Sequence, residues 1–217
     1  MPAAVYDMDL TITAAPTFTR WLVFWARRHA PWRLALLPVA AGVGIAYRLG
    51  LVTRARLKEI AQALLMGPGA ERGAVAAAAT AFAARVVLHP GAMVQLATDR
   101  AAGLDLVLAT ASFDFYAAAI AARLGIATVV ATRSIWAGDR LLARIAGENC
   151  YGAAKAAMVT ARVSTPIAAA YSDHVSDAAL FALAAAPVAV NPSRGLRRLA
   201  RARGWRVVDW RSTPLAH

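Results

Sequence analysis

The chain has 217 residues, enough for one core domain with a small insertion. Its single cysteine, Cys150, excludes an internal disulfide framework, fits a reducing compartment, and reads as a small core side chain. Twenty-four Lys and Arg against twelve Asp and Glu give a net charge of +12; without a helix-turn-helix, zinc-finger or aromatic RNA-binding pattern, that excess points away from nucleic acid and leaves an anionic membrane surface or high-GC coding as its source.

The first apolar run begins at once, Ala4-Val5-Tyr6, and ends in Asp7-Met8-Asp9-Leu10-Thr11. No basic-then-apolar leader precedes it, so no signal peptide and a cytoplasmic location are expected. In a strand, residues i and i+2 share a face, which sets Asp7 beside Asp9 where the strand ends. An open α/β sheet binds its ligands at that end. Such a pair suits phosphoryl transfer, with one carboxylate attacking phosphorus and the other moving the proton.

Phe18 to Trp32 is aromatic and basic, with Trp21, Phe24 and Trp25 followed by Arg27, Arg28 and His29. Leu34 to Tyr47 then carries no charge and is bracketed by Arg33 and Arg48. It is too short for a spanning helix, which needs about 20 apolar residues. Pro38, Gly42 and Gly44 favour a bent or re-entrant shape. Tryptophans and arginines at the edges of an apolar stretch suit a membrane interface. Residues 21–52 are therefore expected to touch the inner face of a bilayer, with a self-packed helix pair or a dimer interface as the alternative. Arg54 to Met66 reads as an amphipathic helix with Leu57, Ile60, Ala61, Leu64 and Leu65 on one face. A helix over Ala74 to Val87 follows.

From Ala92 the pattern alternates helix and strand. A helix to Ala102 is stopped by Gly103, and the strand Asp105 to Thr110 follows. A helix over Phe113 to Leu124, a strand over Thr128 to Thr132 and a hairpin around Gly138-Asp139 come next. Lys155 stands near the start of a helical stretch. The strand Ile167 to Tyr171 runs into Ser172-Asp173-His174-Val175-Ser176-Asp177. A helix over Ala178 to Ala185, a strand over Val188 to Val190, a basic helix over Gly195 to Arg203 and a strand over Arg206 to Trp210 complete the chain. This alternation predicts an α/β fold, three-layered and doubly wound, around a mostly parallel sheet. The expected division is a core of residues 1–14 and 90–217 with a helical insertion over 15–89.

Four elements in this order, Asp7-x-Asp9-x-Thr11, Thr110, Lys155 and Asp173-x-x-x-Asp177, resemble the motifs of the haloacid dehalogenase-like phosphatases. The closest likeness is to the phosphoserine-phosphatase-type subgroup, whose cap lies between the first two motifs. The resemblance implies a phosphomonoester hydrolase with Asp7 as nucleophile and Asp9 as general acid/base. Thr11, Thr110, Ser112 and Lys155 would bind phosphate. Mg²⁺ would be held by Asp7, Asp9 (through its backbone carbonyl), Asp173 and Asp177, beneath a mobile cap. Leu10 and Ser172 depart from the pattern, each standing where many members have glycine. The aromatic-basic helix and apolar hairpin also resemble the phosphatidylglycerophosphatase C branch of that subgroup, which implies a phospholipid substrate. A soluble phosphoserine-like or sugar phosphate, and a non-catalytic interaction role, stay open beside it.

Overall fold

The computed structural model describes residues 1–212. Strand β1 (Ala3–Tyr6) leads through a loop to α1 (Phe18–His29), a 3₁₀ turn (Pro31–Leu36), α2 (Leu37–Arg48) and α3 (Arg54–Met66). The short strand β2 (Ala70–Glu71) precedes α4 (Arg72–Ala83) and α5 (Pro90–Ala101). Then come β3 (Asp105–Phe113), α6 (Asp114–Arg123), β4 (Thr128–Thr132), β5 (Ser134–Ala137), β6 (Arg140–Ile145), α7 (Ala153–Arg162) and β7 (Ile167–Ser172). A 3₁₀ turn (Val175–Asp177), α8 (Ala178–Phe181), β8 (Ala184–Val190), α9 (Arg194–Arg203) and β9 (Arg206–Val208) follow.

The main sheet has six strands in the order β4-β3-β1-β7-β8-β9, and every pairing is parallel. All four residues of β1 are buried, as a strand covered on both faces requires. Successive side chains alternate between two cores. Ala4, Tyr6, Leu106 and Leu108 face α1, α3, α4, α5 and α6, whereas Ala3, Val5, Val107 and Ala109 face α7, α8 and α9. This is the three-layer α/β arrangement the alternation predicts.

Several boundaries move. The alanine-rich run expected as a helix over Ala178 to Ala185 is helical only to Phe181. Ala184 to Pro187 instead pairs with Ile167 to Ala170, since ladder hydrogen bonds beside a buried strand override alanine's helical preference. The last strand ends at Val208. The hairpin is present as β5–β6, with Gly138 at φ +55° in its turn. Beyond the expected helices, residues 15–89 also contribute β2, which pairs with β6 to complete a small antiparallel sheet. The buried face of α3 runs through Lys58, Ala61, Gln62, Leu65 and Met66, about one residue around from the apolar stripe read in the sequence.

Pro31 to Arg48 is helical throughout, the 3₁₀ turn passing directly into α2. Pro38 sits in the first turn of α2, where a missing N–H costs nothing, and Gly42 and Gly44 are taken into the helix. Trp21 and Trp25 are buried rather than edging an apolar surface. Trp21 stacks on Tyr116 (5.3 Å between centroids), meets Phe82 edge-on (5.5 Å) and donates its indole N–H to the Met66 sulfur (3.3 Å). Its size fills the junction of α1, α3, α4 and α6, so the inserted helices and the sheet share one core. Trp21→Ala should therefore cost about 3–5 kcal/mol, read as a lowered urea midpoint; a midpoint unchanged from the wild type would contradict this packing.

Candidate active site

The carboxyl ends of β1, β3 and β7 converge on a cavity of about 230 Å³. Asp7, Asp9, Thr110, Lys155, Asp173 and Asp177 line it. A larger groove of about 760 Å³ lies between α8, β8 and α9, but its lining of alanines, Phe181, Trp205 and arginines offers no carboxylate or nucleophile.

Local structure sets each side chain. Asp7 follows β1 directly, and its N–H donates to the Tyr171 carbonyl of β7 (2.9 Å). The rings of Tyr6 and Tyr171 stack at 4.4 Å, and both hydroxyls donate to the buried Asp99 of α5 (2.5 and 2.9 Å). That clamp fixes the two strand ends that carry Asp7 and Asp173. Leu10 has φ +63°, a left-handed conformation that costs a non-glycine residue roughly 1–3 kcal/mol. The turn turns the chain back, and the N–H groups of Ile12 and Thr13 both donate to the Met8 carbonyl (3.0 and 2.9 Å). Gly152, at φ +60°, lets the chain swing into α7 so that Lys155 in its first turn points back at β1.

Lys155 donates to Asp7 Oδ1 (2.7 Å) and to Asp177 Oδ2 (2.8 Å), with all three side chains buried. Ser172 donates its hydroxyl to Asp177 Oδ2 (2.6 Å) and accepts from the His174 N–H (3.2 Å). Thr11 bridges Asp7 Oδ2 (3.3 Å) and Asp173 Oδ1 (3.5 Å) from behind and does not line the cavity. Ser112 is likewise set back. Its hydroxyl donates to Asp9 Oδ2 (3.1 Å), and the Thr17 N–H and hydroxyl both donate to Asp9 Oδ1 (2.9 and 2.7 Å). Ser112 thus holds Asp9 and is not at the cavity wall where a phosphate group would sit.

The electrostatics are dominated by crowded acid. Asp7, Asp173 and Asp177 bring three negative charges against the one positive charge of Lys155. Burial pushes the Asp7 carboxyl up to about 7, reinforced by Asp177 and Asp173 and opposed by Lys155. Burial and then Asp177 push Asp173 up to about 6. Burial also raises Asp9, against its hydrogen bonds from Thr17 and Ser112. Burial alone would lower Lys155, but Asp7 and Asp177 more than offset it and hold it firmly charged. Asp177 Oδ1 is buried without a hydrogen-bond partner among the described residues. The cluster is short of positive charge by about two units, and its donors are hard oxygens. A dication of the Mg²⁺ type fits that deficit. Among the described residues no three His, Cys, Asp or Glu side chains converge into a ready cage, so such an ion would need backbone oxygen and water to complete its shell.

Three participants escaped the motif reading. Thr17, just before α1, orients Asp9. Arg54, at the start of α3, lines the cavity with its guanidinium 3.9 Å from the centre of the Tyr151 ring. Lys58, one turn further, is buried and donates to the Ala111 carbonyl and to Asn149 Oδ1 (2.6 Å). Desolvation, then Arg54, lowers its ammonium to about 8. A base inside an otherwise buried helical stripe was the available signal, since Lys58 precedes Ala61, Gln62 and Leu65 at helical spacing.

Comparison with known proteins places the chain. Residues 4–182 match the family model for haloacid dehalogenase-like hydrolases. The chain is 35% identical over 115 residues to phosphoserine phosphatase SerB1 of Mycobacterium tuberculosis, a stretch covering 51% of this chain and 37% of that protein. The chain thus spans well under half the length of this curated relative. A solved structure of a protein of unknown function from Bordetella pertussis Tohama I superposes with a TM-score of 0.87 at 28% identity, covering 96% of this chain and 98% of that one. A phospho-aspartyl intermediate analogue of phosphoserine phosphatase has the same fold, with a TM-score of 0.65 at 16% identity over 97% of this chain and 93% of its own. With its four acidic, hydroxyl and lysine elements gathered at one sheet end and the family model spanning most of its length, the chain belongs to the haloacid dehalogenase-like hydrolases.

Proposed function

We propose that this chain hydrolyses phosphomonoesters through a covalent phosphate on Asp7. The observation that carries this reading is the buried Lys155–Asp7–Asp177 ion triad beside Asp173 and Thr110 at the carboxyl end of the sheet. In the first step an Asp7 oxygen attacks phosphorus and the ester oxygen leaves, taking a proton from Asp9. In the second, Asp9 takes a proton from water, and the water oxygen attacks the acyl-phosphate and frees Asp7. Asp9 suits both steps because burial raises its carboxyl while Thr17 and Ser112 fix its orientation. Lys155 and the Thr110 hydroxyl stabilise the transferring phosphoryl group. Mg²⁺ would be held by Asp7, Asp173 and the Asp9 backbone carbonyl, with Asp177 supporting the shell, and it would supply charge neutralisation for phosphate entering an acidic site. The segment 15–89 acts as the cap over this site.

For the substrate we favour a phosphoester presented at an anionic membrane surface, over a small soluble one. Residues 10–58 carry seven arginines and one lysine but no acid. Within that stretch, Pro31 to Arg48 has no buried residue, and Trp32, Val39, Ile45, Leu49 and Leu51 are all more than half exposed. Basic residues interleaved with exposed apolar ones fit the headgroup region of a bilayer. Among the described residues no helix is long and apolar enough to cross a membrane, so the contact would lie in the surface plane.

Asp7→Asn should abolish hydrolysis of p-nitrophenyl phosphate, and Asp9→Asn should lower kcat by roughly 10²–10⁴-fold. Normal turnover in Asp7→Asn would sink the mechanism. Calorimetric Mg²⁺ affinity should weaken as pH falls through about 7 and 6. Both carboxyls are raised, so each is protonated below its own value and can no longer ligate. An affinity independent of pH across that window would contradict the carboxylate site. On vesicles containing phosphatidylglycerol, the protein should co-sediment, and Ile45→Glu with Leu49→Glu should release it. If the unaltered protein ignores such vesicles and cleaves only water-soluble phosphates, the small-substrate reading replaces the membrane one.

A further inference from the structure

Lys58 belongs to the inserted segment, yet its ammonium is spent on the core. It reaches the carbonyl of Ala111, the residue after Thr110, and Oδ1 of Asn149 (2.6 Å), just ahead of the helix that carries Lys155. Thr132 closes the same knot: its hydroxyl lies 2.7 Å from the Ala111 carbonyl and accepts from the Cys150 N–H (3.0 Å). Here β3 shifts register against β4, between Thr110 and Phe113, so the peptide groups of this stretch are free of the regular ladder.

The consequence runs through a single peptide unit. In a trans peptide the carbonyl and the following N–H point in opposite directions. With the Ala111 carbonyl held by Lys58 and Thr132, the Ser112 N–H is aimed at Thr110 Oγ1 (3.1 Å). Thr110 Oγ1 therefore accepts from the backbone, and its own proton is left to donate into the cavity. We propose that Lys58 is a positioning residue for Thr110: by anchoring the Ala111–Ser112 peptide, it makes the phosphate-binding hydroxyl depend on a docked insertion. This rests on the phosphatase reading above. A charge-assisted bond from a buried ammonium is stronger than a neutral one, which suits an anchor that must hold an unladdered peptide.

A double-mutant cycle separates positioning from mere structural support. Lys58→Met, Thr110→Val and the double variant are assayed with p-nitrophenyl phosphate, after thermal melts confirm folding. Lys58→Met should lower kcat/KM by roughly 10–100-fold, mostly in kcat, as loss of an orienting contact does. In the Thr110→Val background it should change kcat/KM by no more than about twofold, because the hydroxyl it positions is gone. Losses that multiply, or a Lys58→Met enzyme equal to the wild type, would overturn the proposal. Should Lys58→Met fail to fold, Thr132→Val, which removes the other group on the Ala111 carbonyl, carries the same cycle with the same expectation. A wild type without Asp7-dependent hydrolysis would instead refute the phosphatase reading itself, an outcome distinct from multiplicative losses in an active enzyme.

Discussion

A single buried ammonium set among three buried carboxylates is the constraint on which this molecule turns. Lys155 satisfies Asp7 and Asp177 directly and leaves Asp173 to Thr11. Burying charge is costly unless it is paired, and removing one partner of such a pair typically costs 3–5 kcal/mol. The arrangement is tolerable because strands and helix arrive with little freedom. Tyr6, Tyr171 and Asp99 clamp the two strand ends, Gly152 turns α7 inward, and Ser172 shares the charge of Asp177. What the protein does not supply is the remaining positive charge.

The inserted helices are more than a cover. Trp21 ties α1 into the core that also lies under the sheet, so the segment is packed as part of the fold rather than hinged over it. From this anchored position the segment reaches the chemistry at three places: Thr17 on Asp9, Arg54 at the cavity wall and Lys58 on the Ala111 carbonyl. The same segment turns Trp32, Val39, Ile45, Leu49 and Leu51 outward. The exposed apolar side chains and the groups that reach the cavity are thus carried by one set of helices.

Much of this was legible in the residues. Apolar runs ending in Asp7, Thr110 and Asp173 announce buried strands with polar ends, and the structure brings Asp7, Asp9, Thr110, Lys155, Asp173 and Asp177 to one cavity. The rest was hidden for physical reasons. Trp21 and Trp25 look alike whether they meet lipid or Phe82 and Tyr116, because an indole suits both settings, and only tertiary packing decides. Ser112 belongs to the right strand end, but beyond the register shift after Thr110 its hydroxyl meets Asp9. Thr17 lies eight residues beyond Asp9, a proximity created by the turn that Leu10 accommodates at positive φ. Lys58 stands in a buried helical stripe that sequence periodicity placed about one residue away.

The central claim is that Asp7 becomes covalently phosphorylated during turnover. Mixing the protein with Mg²⁺ and a phosphomonoester, quenching in acid within the first turnover and reducing with borohydride would convert an acyl-phosphate at that position to homoserine, readable by mass spectrometry of the N-terminal peptide. The account predicts homoserine at position 7 in the substrate-treated sample and none when substrate is omitted. Steady hydrolysis with position 7 recovered as unmodified aspartate, or with the label on Asp9, Asp173 or Asp177, would contradict it.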